Sequence, residues 1–370
     1  MRRLTTTPNQ GIVGIQSPRP ITFVNARAYN RPDDGLSRLD RLRAGGTPEI
    51  ILTRRNGGIG DVLMTIPTAR ALAEKYQCQI DYGTDFEYLD GALPAVLQGL
   101  PYIRRVIPHG DIDSSKYDAV LDLTCPCIAH EQPHAPPISR MDLFARHLGI
   151  TLSNTQIDYQ HTQEELTVAF QELQKLRINQ DRHRLILIQP SASTTRRDMP
   201  SDILKQMVRK LASEDNSLRF LVVTHESDGH LARQYRWQDI NFTHKLHNYS
   251  IRQIAAVMSY CDLVICPDSS ILHLAGALHK PSLSFFGPTD PRARINYYPE
   301  AVAIAPGVQL KCWTCWFSSC NAHYTCWKRL ELDMCVKTAQ SILAGKPLEP
   351  HPEIFHFGSM SVQKTAYEIL

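Results

Sequence analysis

The sequence lacks any apolar run that approaches the ~20 residues needed to span a bilayer. Its first residues, MRRLTTTPNQGIVGIQSPRP, contain arginines but no apolar core like that of a signal peptide. The formal net charge is only +3, which is too small to indicate nucleic acid or an anionic membrane surface as a partner. These absences favour a cytoplasmic protein that binds no nucleic acid, and they leave peripheral membrane contact and oligomerisation open.

The chain has 370 residues, enough for two domains, and its 43% hydrophobic and 21% charged residues are typical of a globular protein. Strand-like runs alternate with helical patterns twice along the chain, which predicts an α/β fold built from two Rossmann-like halves with parallel sheets. The predicted parts are an N-terminal arm, a first Rossmann-like half, a connector, a second Rossmann-like half that holds a cysteine-rich insert, and a tail. Their ranges are 1–46, 47–160, 161–180, 181–345 with the insert at 311–336, and 346–370.

Short apolar runs such as EIILTRR (49–55) predict strands, and apolar residues at helical spacing predict the helices between them. Pro67 falls inside the first helical pattern and is expected to kink that helix or to end a short first turn. Ser139 and Ser201 are expected to cap later helices. In folds built on open parallel sheets, ligands bind beyond the carboxyl ends of the strands. We therefore expect a shared cleft surrounded by the loops after Arg55, Ser191, His225, Asp268 and Gly287.

The stretch RNGGIGDVLMTIP places three glycines and an aspartate directly before a helix. The residues are Gly57, Gly58, Gly60 and Asp61. Asp61 is well suited to cap the helix, and the same carboxylate can act in catalysis. The spacing does not match the G-x-G-x-x-G of dinucleotide-binding turns, which argues against an NAD site.

Two stretches of the second half are candidates for phosphate binding. VICPDSSILHLAGAL predicts a buried strand followed by a helix whose first turn can bind an anion, with Asp268, Ser269, Ser270 and His273 close to it. Alternatively, Asp268 caps this helix and His273 packs beneath a loop. The next strand ends FFGPTDP, where the Thr289 hydroxyl is a candidate hydrogen-bond donor to a diphosphate. The alternative is that this stretch is an ordinary strand-ending turn. Gly287 and Pro288 complete that turn.

Together these three motifs resemble those of the heptosyltransferase-like glycosyltransferases of family 9, over roughly residues 49–345. The resemblance implies the GT-B fold, in which two Rossmann-like domains face a central cleft. It implies an inverting, metal-independent transfer of a sugar from a nucleoside-diphosphate sugar, with ADP-heptose favoured. The implied acceptor is a hydroxyl of a glycan such as lipopolysaccharide core, or of a protein.

The resemblance also assigns roles to residues. Asp61 corresponds to the general base, and the glycines before it are expected to leave room for acceptor and sugar. Arg197 stands where relatives have a phosphate-binding lysine, with Arg196 as the near alternative, and an arginine can grip a diphosphate through two parallel N–H bonds. Ser193 and Thr194 are expected to add phosphate contacts. Glu226 corresponds to the acid that contacts the nucleotide ribose, or is a charged loop residue.

Five of the ten cysteines fall between residues 312 and 335. Cys312-x2-Cys315 is the usual half of a tetrahedral metal site, and one branch of the resembled family has a cysteine-bound iron finger. The expected ligands of a structural zinc or iron are Cys312, Cys315, Cys326 and Cys335, with Cys320 in reserve. A reduced, tryptophan-packed loop and a disulfide formed on isolation are the alternatives.

A second function remains open, which is a nucleotide-sugar-binding module that has lost catalysis. The arginine in place of lysine and the missing tryptophan of RRDMP favour it. The presence of Asp61 argues for the enzyme.

Overall fold

A computed structural model describes residues 47–55, 57–88, 91–124, 126–127, 130–131, 135–224, 242–315, 320 and 322–358. They belong to one compact unit that spans residues 32–370. The described residues form two sheets, so the α/β architecture with parallel sheets is confirmed. None of their helices is long and apolar enough to cross a membrane.

The first sheet has four parallel strands in the order β3-β2-β1-β4. The strands are β1 (Ile50–Arg54), β2 (Ile80–Thr84), β3 (Ile103–Pro108) and β4 (Ala119–Asp122). The helices of this half are α1 (Ile59–Tyr76), α2 (Ala92–Ala95) and α3 (Arg140–His147). β1 is buried along its whole length because it lies between two neighbours and beneath helices. Its carboxyl end therefore delivers the glycine turn to the middle of the sheet edge.

The second sheet has seven strands in the order β11-β10-β9-β8-β5-β6-β7, parallel except for β11 against β10. The strands are β5 (Arg184–Ile188), β6 (Leu218–Thr224), β7 (Thr243–His247), β8 (Leu263–Pro267), β9 (Ser282–Phe285), β10 (Ala301–Ile304) and β11 (Ile354–His356). The helices that follow α3 are α4 (Gln163–Lys175), α5 (Ser201–Glu214), α6 (Ile251–Met258), α7 (Ser270–Ala277), α8 (Thr325–Lys328) and α9 (Leu332–Leu343). The adjacent strands β8 and β9 lead to the two predicted phosphate-binding stretches, which explains why those stretches meet.

Helix α1 packs against α3 in its own half and against α7 of the second half. It runs without interruption through Pro67, so the expectation that Pro67 ends a first short turn is wrong. Pro67 is buried, and tertiary packing on both sides supports a helix that propensity alone disfavours. The α1–α7 contact brings the N-terminal glycine turn and the Asp268 helix to the same place.

Of the two serines expected as helix caps, one occupies the N-cap position and the other does not. Ser139 occupies the N-cap position of α3, but its side chain makes no capping hydrogen bond. Ser201 is the first residue of α5, and Pro200 stands at the N-cap. Pro200 fixes the chain direction at the helix start without a side-chain cap.

Candidate active site

The glycine turn between β1 and α1 fixes the position of Asp61. Gly58 is the N-cap residue and α1 begins at Ile59, so Asp61 is the third residue of the helix rather than its N-cap. Its Oδ2 accepts a hydrogen bond from the Gly58 backbone N–H at 3.1 Å. Gly57 has φ +128°, where glycine is favoured, and a β-carbon there would lie 2.7 Å from the Arg54 guanidinium. The turn therefore stabilises the helix start and orients the carboxylate at once.

Two arginines contact the Asp61 carboxylate. Arg54 Nη2 lies 3.3 Å from Oδ2, and Arg140 Nη1 forms an ion pair with Oδ1. Arg54 is buried at the end of β1, with its guanidinium 4.9 Å from the centre of the Phe144 ring. Two neighbouring guanidinium groups favour the charged form of a carboxylate. The carboxylate is thus held by protein groups on both oxygens, with Oδ1 buried beside Arg140.

Gly60 is in direct contact with His273 of the second half. A β-carbon at Gly60 would lie 2.3 Å from His273 Cδ2, which no real side chain tolerates. Gly57 is filled in the same way by Arg54 and Asp61, whereas Gly58 has no described atom within 4 Å of such a carbon. Among the described residues, the space beside Gly58 is open, while Gly57 and Gly60 make room for protein side chains.

His273 is buried on the first turns of α7, and burial lowers its pKa to about 3. Its Nδ1 lies 2.7 Å from the hydroxyl of Tyr298, whose pKa burial raises well above the ordinary value. A protonated Tyr298 hydroxyl can donate to Nδ1, which leaves the proton of a neutral imidazole on Nε2. His273 is therefore a neutral N–H donor at Nε2, without the positive charge of an imidazolium.

Asp268 organises the predicted donor side. Arg197 Nη1 lies 3.3 Å from its Oδ2 and 3.0 Å from its backbone oxygen, and the Thr289 hydroxyl donates to Oδ2 at 2.8 Å. Burial alone would raise the pKa of the Asp268 carboxyl, but Arg197 and Arg294 hold it well below its ordinary value. The carboxylate thus positions Arg197. Because the Thr289 hydroxyl proton is directed at Asp268, that hydroxyl is not a free donor for a diphosphate.

The loop between β5 and α5 distinguishes the two adjacent arginines. Arg197 receives support from the hydroxyls of Ser193 and Thr194 and reaches Asp268. Arg196 turns away, with its Nη1 3.4 Å from the backbone oxygen of Cys315. Among the predicted alternatives, the geometry favours Arg197 as the cation beside the α7 helix start. Ser193 and Thr194 hold its guanidinium.

Helix α7 begins between Asp268 and the Gly287 turn. Ser269 is its N-cap residue, is buried, and makes no side-chain capping bond, while Ser270 is partly exposed. The first backbone N–H groups of α7 are thus not claimed by the Ser269 side chain, and a helix start of this kind attracts anions. Gly287 and Pro288 lie buried at the end of β9, beside this start.

Three charged residues of the site lie outside the motifs that sequence reasoning recognised. They are Glu131, Arg140 and Arg294. Glu131 pairs with Arg140 through Nε and Nη2 and with Arg294 through Nη2 at 3.3 Å. Arg294 Nε lies 3.8 Å from Asp268 Oδ1. Burial raises the pKa of the Glu131 carboxyl, against the opposing effect of Arg294. The one available signal was the position of Arg294, three residues after FGPTDP.

The cysteine-rich segment lies against the loop between β5 and α5, which carries Arg196 and Arg197. The Trp327 indole packs on the Gly287 turn, and its Nε1–H donates to the Arg196 backbone oxygen at 2.9 Å. Trp313 also contacts this region, packed near Gly307. The segment therefore supports the loop that carries Arg197.

The structure does not gather the four expected metal ligands. No group of three or more His, Cys, Asp or Glu side chains among the described residues is arranged to hold a metal ion. Cys335 is buried in the core beneath the second sheet, where burial raises the pKa of its thiol to about 12, and the described structure gives no support to it as a metal ligand. Cys312 is exposed, and Cys315, Cys320 and Cys326 are partly buried free thiols.

Glu226, predicted to contact ribose, lies outside the described residues, as does His225. The loop after β6 therefore adds nothing to the site as described. The other predicted cleft loops do converge, at the ends of β1, β5, β8 and β9.

Comparisons with known proteins agree with this arrangement. The model of the family described as glycosyltransferase family 9 (heptosyltransferase) matches residues 128–321. A lipopolysaccharide heptosyltransferase 1 of Escherichia coli O18:K1:H7 is 28% identical over 188 residues, which are 49% of this chain and 52% of that protein. The chain thus spans about half the length of this curated relative.

Solved structures of low sequence identity share the fold. A family 9 glycosyl transferase from Veillonella parvula is 15% identical with a TM-score of 0.64, covering 81% of this chain and 98% of its own. The ADP-heptose lps heptosyltransferase II of E. coli is 13% identical with a TM-score of 0.57, covering 80% and 99%. The iron-containing dodecameric glycosyltransferase TibC of enterotoxigenic E. coli H10407 is 13% identical with a TM-score of 0.56, covering 81% and 77%.

Proposed function

Because the chain belongs to glycosyltransferase family 9, we propose that it transfers a sugar from a nucleoside-diphosphate sugar to an acceptor hydroxyl. The observation that carries the proposal is the meeting of the Asp61 turn with the Asp268 helix through Gly60 and His273. A carboxylate and an anion-binding helix start stand on opposite sides of this contact. That is the arrangement required by a displacement at a carbon between an oxygen nucleophile and a diphosphate.

On the donor side, the proposed diphosphate lies at the start of α7. Arg197 supplies the positive charge, and the first N–H groups of α7 and the His273 Nε2–H supply neutral donors. The charge that develops on the departing diphosphate is thereby offset by groups already in place, which lowers the barrier. This cationic set takes the part that a divalent ion plays in other transferases, so the proposed chemistry is metal-independent.

On the acceptor side, Asp61 is the proposed general base. The acceptor oxygen attacks the anomeric carbon, the bond from that carbon to the diphosphate oxygen breaks, and the hydroxyl proton passes to Asp61. One displacement of this kind inverts the configuration at the anomeric carbon. Since two arginines favour the charged carboxylate, Asp61 is a weak base that depends on alignment and on the proton becoming acidic as the bond forms.

The proposed donor is ADP-heptose, and the proposed acceptor is a glycan of the lipopolysaccharide core or a protein hydroxyl. The name of a solved structure, ADP-heptose lps heptosyltransferase II, supports the donor. The name of a relative, lipopolysaccharide heptosyltransferase 1, supports the glycan acceptor. The open position at Gly58 is where the acceptor is proposed to approach.

The proposal is tested by thermal denaturation of the full chain with ADP, UDP, GDP and CMP, followed by a transfer assay with ADP-heptose and heptose-free lipopolysaccharide. We expect ADP to raise the melting temperature most. We also expect Arg197→Ala to abolish that increase, because it removes the cation at the α7 start. A chain that no nucleoside diphosphate stabilises contradicts the proposal.

A binding module that has lost catalysis is distinguished in the same assay. Such a module is stabilised by ADP but releases no ADP from ADP-heptose in the presence of acceptor. Release of ADP with matching formation of glycosylated product establishes the enzyme.

A further inference from the structure

Seven side chains form a continuous line of alternating charge from the proposed base to the proposed donor site. Each contact in the line joins an arginine to a carboxylate. The order is Arg54, Asp61, Arg140, Glu131, Arg294, Asp268 and Arg197. The line connects the two halves of the site without any of the recognised motifs at its centre.

Glu131 stands at the middle of this line and determines where two arginines point. Its two carboxylate oxygens take Nε and Nη2 of Arg140, which is the two-bond arrangement that fixes the plane of a guanidinium. With that plane fixed, the remaining Nη1 of Arg140 is directed at Asp61 Oδ1. The same Glu131 carboxylate contacts Arg294, which reaches Asp268.

Placing the Glu131 charge in this buried position costs free energy, which argues that Glu131 has a role there. Glu131, Arg140 and Arg294 are all largely buried, and a buried charge left without its partner is strongly destabilising. Among the described residues, Glu131, Asp61 and Asp268 are the carboxylates paired with Arg54, Arg140 and Arg294. Without Glu131, Arg140 would keep only its contact with Asp61 among these pairs, and its guanidinium would no longer be held in one plane.

We propose that Glu131 is a positioning residue that aligns the proposed base by holding Arg140 in a fixed orientation beside Asp61. This inference rests on the proposed function, because it assigns Glu131 a part in the same transfer. Glu131 itself forms and breaks no bond. It keeps one guanidinium N–H on Asp61 Oδ1 and two on itself, so that the Asp61 carboxylate stays in one orientation.

The test compares Glu131→Gln, Arg140→Lys and the double variant in the full chain, with ADP-heptose and heptose-free lipopolysaccharide as substrates. Loss of alignment by about 1 Å costs on the order of 10²-fold in rate, so Glu131→Gln is expected to lower kcat by about 10- to 100-fold. The dissociation constant for ADP is expected to change by less than about 3-fold, because Asp268 keeps Arg197 and Thr289. The double variant is expected to be no slower than the slower single variant, since groups that act as a unit are not additive.

Glu165→Gln is the matched control. Glu165 binds Arg252 through the same two-bond arrangement, with Arg252 Nε and Nη2 as donors, on elements that contribute nothing to the site. Its loss is expected to lower the melting temperature while kcat stays unchanged. A Glu131→Gln variant that behaves in the same way, with a lower melting temperature and normal kcat, overturns the inference, as does a multiplicative loss in the double variant.

A second measurement needs no turnover. The fall in melting temperature caused by Glu131→Gln is measured in the wild-type chain and in an Asp61→Asn chain. If Glu131 acts on Asp61 through Arg140, the two falls differ, and equal falls overturn the inference. A wild-type chain that transfers no sugar but shows the coupling contradicts the proposed function alone and leaves the alignment of Asp61 by Glu131 supported.

Discussion

Gly60 and His273 touch across the two halves of the molecule, so closely that a β-carbon at position 60 would lie 2.3 Å from His273 Cδ2. Position 60 of the N-terminal motif therefore favours glycine, because the His273 ring of the C-terminal motif occupies the space that a side chain would need. The contact fixes α1 against α7 at the level of Asp61 and the Asp268 helix start. It is the structural reason that the two motifs form one site.

Gly60→Ala is expected to destabilise the chain by about 1–3 kcal/mol, although alanine is the better helix former, because the added methyl overlaps a buried ring. The free energy of unfolding in urea measures this. Gly110→Ala is the matched control, since no described atom lies within 4 Å of a β-carbon there. It is expected to change the unfolding free energy by less than about 0.5 kcal/mol.

A second substitution tests whether His273 is the residue that the added methyl overlaps. His273→Ala removes the ring, so Gly60→Ala is expected to cost much less in a His273→Ala chain than in the wild type. Equal costs in both backgrounds contradict the contact.

His273 predicts a pH dependence of stability. Its folded pKa is about 3, whereas an unfolded histidine has its ordinary pKa of about 6.5. Between these values the unfolded chain binds a proton that the folded chain does not, so stability falls as pH decreases from about 6.5 towards 3. His273→Asn is expected to reduce the slope of unfolding free energy against pH in this window. Superimposable slopes for the two proteins would show that His273 is not buried as a neutral ring.

Trp327 is expected to support nucleotide binding from outside the site. Trp327→Phe keeps most of the packing on the Gly287 turn but loses the hydrogen bond to the Arg196 backbone oxygen. A hydrogen bond of about 0.5–1.5 kcal/mol corresponds to an affinity for ADP that is weaker by about 2- to 12-fold. Isothermal titration calorimetry measures it.

Trp313→Phe is the control for that measurement. The Trp313 indole Nε1 has no hydrogen-bond partner among the described residues, so the substitution removes aromatic mass but no bond. Its ADP affinity is expected to equal that of the wild type. A larger loss for Trp313→Phe than for Trp327→Phe contradicts the support of the donor loop by Trp327.

Cys335 is expected to resist alkylation in the native protein. Burial raises its pKa to about 12, so at pH 8 it is a thiol and not the reactive thiolate, and it lies in the core. Mass spectrometry after iodoacetamide treatment is expected to show modification at the exposed Cys312 and none at Cys335. Equal modification of the two contradicts the buried position.

The sequence predicts the α/β fold and its parallel sheets because apolar runs and helical patterns are local properties of the chain. It misses β7, whose sequence THKLH is mostly polar, β10, which has four residues, and β11, which has three. β7 forms through its pairing with β6, and β11 through its pairing with β10, and such pairing is not visible in a single segment.

The site is predicted where residues belong to motifs and missed where they do not. Asp61 and Asp268 stand at the ends of predicted strands or in glycine turns. Glu131 and Arg140 resemble ordinary surface charges in the sequence, and their burial depends on two sheets coming together. The tight fit at Gly60 depends on the distant His273 and is likewise invisible to local reasoning.

The most direct test of the account is the rate of sugar transfer by Asp61→Asn, measured together with its affinity for ADP. Asparagine retains a carbonyl oxygen for the Gly58 N–H but cannot accept the acceptor proton as a carboxylate does. A general base contributes about 10²–10⁴-fold, so transfer is expected to fall by that factor while the ADP dissociation constant stays within about 3-fold of wild type. Transfer at the wild-type rate by a folded Asp61→Asn protein would contradict the central claim that Asp61 takes the proton of the attacking hydroxyl.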